Sequence, residues 1–141
     1  MFVTETQLRV RYGETDQMGY AYYGNYALYF EVARVESLRH VGLSYKLMED
    51  EGVMMPVLEM HNRFLKPALY DDLLTIKTTV KQLPEATITF DFEVHNEAGI
   101  LLTTGMVRLV FINKFSKRPC RCPEKFLHQL RGYFIHADNH S

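Results

Sequence analysis

Asp16 lies in the run Glu14-Thr15-Asp16-Gln17-Met18-Gly19-Tyr20-Ala21-Tyr22-Tyr23-Gly24-Asn25-Tyr26, a carboxylate in a turn just ahead of a glycine-punctuated aromatic stretch. A long helical pattern follows directly. The first N–H groups of a helix lack intrahelical acceptors and carry partial positive charge. A carboxylate a short loop away from such a helix start is equipped for acyl transfer: it can attack or activate water while the helix amides stabilise charge on the substrate oxygen. On this reading Asp16 is nucleophile or general base. The backbone N–H groups at Tyr23 and Gly24 form the oxyanion site. Gly19, Tyr20, Tyr22, Asn25 and Tyr26 contribute to a substrate pocket. A plainer reading stands beside it. Asp and Gly organise turns, Asn25 or water can satisfy the amides, and dense aromatic clusters commonly pack.

Other catalytic templates find little support. Ser37, Ser44, Ser116 and Ser141 are the only serines, and none sits in a Gly-x-Ser-x-Gly elbow. There is no phosphate loop and no dinucleotide-binding glycine fingerprint. The histidines (His40, His61, His95, His128, His136, His140) show no metal-ligand spacing. His61, on an expected strand, is placed to approach the site or to serve as a structural histidine. Lys114, Lys117, Arg118 and Arg121 form a local basic run that suits either a cofactor's phosphates or a solvated loop.

The elements that must position these groups follow from periodicity. Gln7 to Tyr12 alternates and reads as a strand. Asn25 to Val41 reads as a helix, with Ala27, Phe30, Ala33, Ser37 and Val41 on one stripe. Asn25 is its expected N-cap, Gly42 its C-terminal glycine, and Glu31 and Arg34 an expected pair. A short helix is predicted from Ser44 to Glu51, ending at Gly52. Val53 to Lys66 is extended, limited by Pro56 and Pro67. Leu74 to Lys81 and Thr87 to Val94 alternate as half-buried strands, joined by a hairpin at Leu83-Pro84-Glu85-Ala86. Asn96-Glu97-Ala98-Gly99 turns the chain into Ile100 to Asn113, expected to be a central strand. A last helix is predicted over Pro123 to Phe134, with His136 to Ser141 frayed. Consecutive strands and one long helix define an α+β domain whose antiparallel sheet wraps the helix.

Composition sets the bounds. The 141 residues suit one domain, 1–141, and 47% hydrophobic with 23% charged residues is ordinary for a globular chain. Nine Tyr and nine Phe with no Trp point to a Phe/Tyr core, and a net charge of −1 gives no reason to expect nucleic-acid binding. No signal peptide or membrane-inserting segment is apparent, so a cytoplasmic location is expected. Cys120 and Cys122 flank one residue, too close for an unstrained disulfide, and are read as free thiols.

Taken in order, Arg11 to Gly19, Tyr22-Tyr23-Gly24-Asn25-Tyr26, Phe30 to Arg34, Glu51-Gly52, Phe64-Leu65-Lys66-Pro67-Ala68, Tyr70 to Leu74 and Gly99 to Leu102 resemble the hot-dog-fold acyl-CoA thioesterases. The similarity is to their 4-hydroxybenzoyl-CoA thioesterase and YbgC-like branch, and it runs to about Arg118-Pro119. The resemblance implies a five-stranded antiparallel sheet around the long helix, a homodimer or homotetramer with sites at subunit interfaces, and hydrolysis of an acyl-CoA thioester without a metal. Coenzyme A then enters only as part of the substrate. Asp16 falls on the catalytic aspartate, and Tyr23 on the residue whose N–H polarises the thioester carbonyl. Many YbgC-like members carry histidine at the Tyr23 position, which removes a side-chain acid or base but leaves the backbone role. The CoA phosphates are expected near Lys66 or Arg118. A non-catalytic module binding acyl-CoA or an acyl-carrier-protein thioester is the alternative.

Overall fold

A computed structural model describes residues 1–138. Strand β1 (Phe2–Arg9) leads through a short 3-10 turn, Tyr12–Glu14, to a second such turn, Tyr23–Asn25, and helix α1 (Tyr26–His40). Helix α2 (Tyr45–Asp50), strands β2 (Val53–Met54), β3 (Val57–Phe64), β4 (Leu73–Val80), β5 (Thr87–His95), β6 (Leu101–Val110) and β7 (Ile112–Asn113), and helix α3 (Glu124–Asp138) follow. Five strands form one antiparallel sheet in the order β1-β4-β5-β6-β3, and β2 with β7 form a small separate ribbon.

Period-two alternation assigns the faces. On β4 and β5, Leu74, Ile76, Thr78 and Val80, then Ile88, Phe90, Phe92 and Val94, are buried. They form the floor on which α1 lies. Phe30 of α1 stacks on Phe92 with ring centroids 4.3 Å apart and planes 11° apart. Directly across the register from Phe92 is Gly105 of β6, where an added Cβ would lie 2.6 Å from the Phe30 ring. The absent side chain is what lets the helix settle this close to the sheet.

Helix α1 ends as its sequence demands. Gly42 has φ +78°, its N–H bonds to the Arg39 carbonyl, and the Leu43 N–H bonds to the Leu38 carbonyl. This is a Schellman closure, with Leu38 and Leu43 both buried against it. Ser44 caps α2 by accepting from the Leu47 N–H at 3.1 Å. At the far end, α3 buries Phe126 and Leu130, while Tyr133 meets Phe2 edge-on at 4.8 Å.

The structure corrects several expectations. Strand β1 begins at Phe2 rather than Gln7, because inward-facing Thr4 is satisfied by a hydrogen bond from its hydroxyl to Ser37 on α1 (2.8 Å). The buried stripe of α1 is Tyr26, Tyr29, Phe30, Ala33, Ser37 and Leu38, and Ala27 is exposed. Arg34 turns away from Glu31 and donates from Nε to the Tyr45 hydroxyl (3.1 Å). Strand β6 is interior but β5 holds the middle of the sheet. Helix α3 continues to Asp138, past the expected end at Phe134, and 139–141 lie outside the described residues.

Candidate active site

The loop between β1 and α1 is stitched shut at several points. Asp16 donates its N–H to the Tyr20 carbonyl (2.8 Å), and Gly19, at φ +80°, donates to the Asp16 carbonyl (3.0 Å). A bridge pairs Thr15 with Ala21, and the Ala21 N–H reaches the Ala68 carbonyl at 2.7 Å. Within this loop Oδ1 of Asp16 accepts the N–H groups of Met18 (2.9 Å) and Tyr20 (3.2 Å). The turn-forming role is therefore real, but it occupies only one carboxylate oxygen. Oδ2 has no hydrogen-bond partner among the described residues.

The helix start lies beside it. Asn25 does not cap α1 with its side chain; it is already in helical conformation, and its Nδ2 donates to the Glu14 carbonyl at 2.8 Å. This corrects the expected N-cap role, and it means that the Asn25 side chain leaves the first amides uncovered. The N–H groups of Tyr23 and Gly24 have no acceptor among the described residues, as an oxyanion site requires. Gly24 is hemmed in by the Tyr22 ring, which an added Cβ would approach to 2.6 Å.

Asp16, Tyr20, Tyr23, Tyr26 and Lys66 line one cavity of about 280 Å³, together with Met18, Ala21, Phe64, Leu65 and Pro67. Tyr26 is buried and meets Phe64 edge-on at 5.1 Å, so the wall joins the start of α1 to the end of β3. Burial raises the Tyr26 phenol above its ordinary value, and it stays protonated. Gly19, Tyr22, Gly24 and Asn25 belong to the same loop and helix start without lining the cavity. His61 and Arg118 are elsewhere. His61 lies by strand alternation on the opposite face of the sheet, in a larger groove of about 440 Å³, with Nε2 3.3 Å from Glu59 Oε2. Arg118 closes the turn after β7, its carbonyl accepting the Asn113 N–H. The larger groove holds no pairing of a carboxylate with free helix amides, so size does not mark the chemistry here. Met18, Ala21, Phe64, Leu65 and Pro67 are pocket walls that the sequence reading does not name. The Phe64-Leu65-Lys66-Pro67 segment was visible as a motif, but nothing local tells that Ala21 pairs with Ala68.

Glu14 anchors the loop from behind. Oε1 accepts the Arg11 N–H (2.9 Å) and the Tyr29 hydroxyl (3.0 Å), and Oε2 faces the Arg11 guanidinium at 3.2 Å. Partial burial pushes this carboxyl up, but the bonds from Arg11 and Tyr29 outweigh it and hold it below its ordinary 4.5. Sign follows from linkage: a folded-state pKa below the unfolded one adds stability that is present above about pH 4.5 and is lost as pH falls through the folded value. The difference in urea midpoint between wild type and Glu14→Gln is expected to be constant at neutral pH and to shrink below that point. A difference that grows on acidification would contradict the assignment.

Among the described residues no three His, Cys, Asp or Glu side chains converge as a metal site, and no helix is long and apolar enough to cross a membrane.

An antiparallel five-stranded sheet wrapped on a long helix, with a carboxylate and the start of that helix lining one cavity, is the architecture of the hot-dog-fold thioester hydrolases. Comparison with known proteins agrees. The Thioesterase-like superfamily model matches residues 10–130. YbgC, an acyl-CoA thioester hydrolase of Escherichia coli O157:H7, is 28% identical over 124 residues, covering 88% of this chain and 92% of that protein. The chloroplastic acyl-acyl carrier protein thioesterase ATL3 of Arabidopsis thaliana is 31% identical over 134 residues, covering 90% and 69%. The crystal structure of DHNA-CoA thioesterase from Staphylococcus aureus superposes with a TM-score of 0.90 at 32% identity, covering 99% and 95%. The chain belongs to the thioesterase-like superfamily.

Proposed function

We propose that this chain hydrolyses acyl-CoA thioesters at the cavity between the Asp16 loop and β3, with Asp16 as the catalytic carboxylate. The observation that carries the assignment is the unpartnered Oδ2 of Asp16 sharing a cavity with Tyr23 at a helix start whose amides are free. The acyl carbonyl oxygen accepts from the Tyr23 and Gly24 N–H groups, and those donors are worth most where negative charge builds up in the tetrahedral stage. Removing one such donor elsewhere costs about 3 kcal/mol of barrier. In one course Asp16 takes a proton from water as the water attacks the acyl carbonyl, the C–S bond breaks and the departing CoA thiolate receives the proton. In the other Asp16 itself attacks, expels the CoA thiolate as the C–S bond breaks, and leaves an anhydride that water cleaves to the free acid and the restored carboxylate. Single turnover in ¹⁸O water tests this: label in the Asp16 carboxylate marks attack by Asp16. Where the label enters the product acid instead, an acyl adduct on Asp16 trapped and seen by mass separates an anhydride opened at its acyl carbon from general-base action. Lys66, at the cavity edge of the chain, suits a CoA phosphate.

The same reading includes a homodimer. Strand β3 is an edge with no partner on its outer side among the described residues. Val57, Met60 and Phe64 share its helix-side face and are half exposed, as are Leu28 and Val32 on α1. Long apolar edges of this kind are normally covered. Phe64 both belongs to this edge and lines the cavity, so pairing two β3 edges brings the cavity to the subunit boundary. Sedimentation of wild type is expected to show a dimer or tetramer. Val57→Lys with Met60→Lys should give monomers with reduced turnover, and a wild type that sediments as a monomer would overturn this part.

A further inference from the structure

We propose that Glu14 is a positioning residue for hydrolysis, fixing the Asp16 loop to the start of α1 so that carboxylate and oxyanion amides keep their spacing. The inference rests on the thioesterase reading above and adds a residue to it. Glu14 lies two residues before Asp16 and makes contact with both halves of the site. Its main-chain carbonyl accepts the Tyr22 N–H (2.8 Å) and Asn25 Nδ2 (2.8 Å). These residues bracket Tyr23 and Gly24, the two that carry the free amides. Its carboxylate accepts the hydroxyl of Tyr29, one helical turn beyond Asn25 on the same face of α1. Thus Asn25 and Tyr29 both aim at one residue of the loop. The other donors to the carboxylate come from Arg11, two residues past the end of β1.

This arrangement accounts for an otherwise wasteful choice at Asn25. An asparagine before a helix ordinarily stabilises it by accepting one of the first N–H groups. Here the side chain acts as a donor to Glu14 instead, which costs the helix a cap and keeps its amides open. Glu14 itself does not line the cavity. Its effect must come through spacing, to which such reactions are steep: misplacement by about 1 Å can cost about 100-fold in rate.

The test is steady-state kinetics on folded protein, quantified by active-site titration with a non-hydrolysable acyl-CoA thioether. Glu14→Ala and Tyr29→Phe are each expected to lower kcat, the first by about 10- to 100-fold, with KM changed by less than about threefold. Glu14→Gln should recover most of kcat, since an amide oxygen can accept the same two donors. The double variant Glu14→Ala/Tyr29→Phe should be little worse than Glu14→Ala alone, because both remove one clamp. Tyr29→Phe keeps the test alive should Glu14→Ala fail to fold. Unchanged kcat in titrated Tyr29→Phe, or strictly multiplicative losses in the double variant, would overturn the inference while leaving the thioesterase reading intact. Wild-type turnover by Asp16→Asn, in contrast, would remove the reading itself.

Discussion

Asp16→Asn is expected to lower thiol release from acyl-CoA by about 10³-fold or more while leaving folding almost unchanged. The asparagine is isosteric, and its carbonyl oxygen can still accept the Met18 and Tyr20 N–H groups that Oδ1 accepts now. The loop therefore survives. What is lost is charge and basicity at the second oxygen, which has no structural partner to lose. An amide can neither attack a thioester nor take a proton from water at neutral pH. The measurement is thiol release across aromatic, short-chain and long-chain acyl-CoAs, with wild type and variant side by side and thermal midpoints recorded. Wild-type release with none from the variant establishes Asp16 as the catalytic carboxylate and ranks the acyl groups. Undiminished turnover by Asp16→Asn would mean that Asp16 serves only the turn. The similarity to an acyl carrier protein thioesterase makes acyl-carrier-protein thioesters the right second panel.

Gly105→Val should be the most destabilising single substitution in the sheet. The built Cβ would lie 2.6 and 2.7 Å from Phe30 ring carbons and 3.1 Å from Asn62 Oδ1. Phe30 cannot retreat easily, being fully buried and stacked on Phe92. Overpacking of a dense core costs about 1–3 kcal/mol, and a Cβ that already clashes and carries two further methyls puts valine at or above the top of that range. Denaturant unfolding measures the loss. Gly105→Ala combined with Phe30→Leu should recover part of the alanine penalty, because the smaller side chain vacates the space that the methyl needs. A Gly105→Val protein as stable as wild type would show that α1 can lift from the sheet, and would undo the packing argument.

The elements themselves were largely legible in the sequence because their periodicities are clean. Leu74 to Val80 and Thr87 to Val94 alternate without a break, and Gly42, Ser44, Gly52 and Gly99 mark ends that the backbone confirms with hydrogen bonds or left-handed φ. Legibility failed where a polar side chain faces inward. Thr4 and Thr6 hide the first half of β1, since nothing in one sequence says that Ser37 waits 33 residues on to bond Thr4. It failed again on α1, which is apolar on most sides. A stripe chosen from Ala27 and one chosen from Tyr26 fit the sequence comparably, and only the sheet's position decides between them. Of the site, Asp16 and the helix start were readable because loop and helix are contiguous. The opposite wall, Phe64 to Pro67, comes from a strand end brought in by the Ala21–Ala68 and Tyr20–Leu69 contacts. His61 falls outside the cavity for a simpler reason: one step along a strand moves a side chain to the other face.

Cys122, two residues ahead of the last helix, is 4% exposed, and burial above all, with Glu124 and Cys120 nearby, drives its thiol up to about 12. A thiol so held is almost never thiolate at neutral pH, and the thiolate is the reactive form. Coenzyme A release is conveniently followed with a colorimetric disulfide reagent, and a protein's own cysteines are the usual source of drift in that readout. In this chain only half-buried Cys120 is available to the reagent while the fold is intact. The baseline is therefore at most one equivalent per chain, and a rise toward two equivalents reports unfolding in the same cuvette that reports turnover.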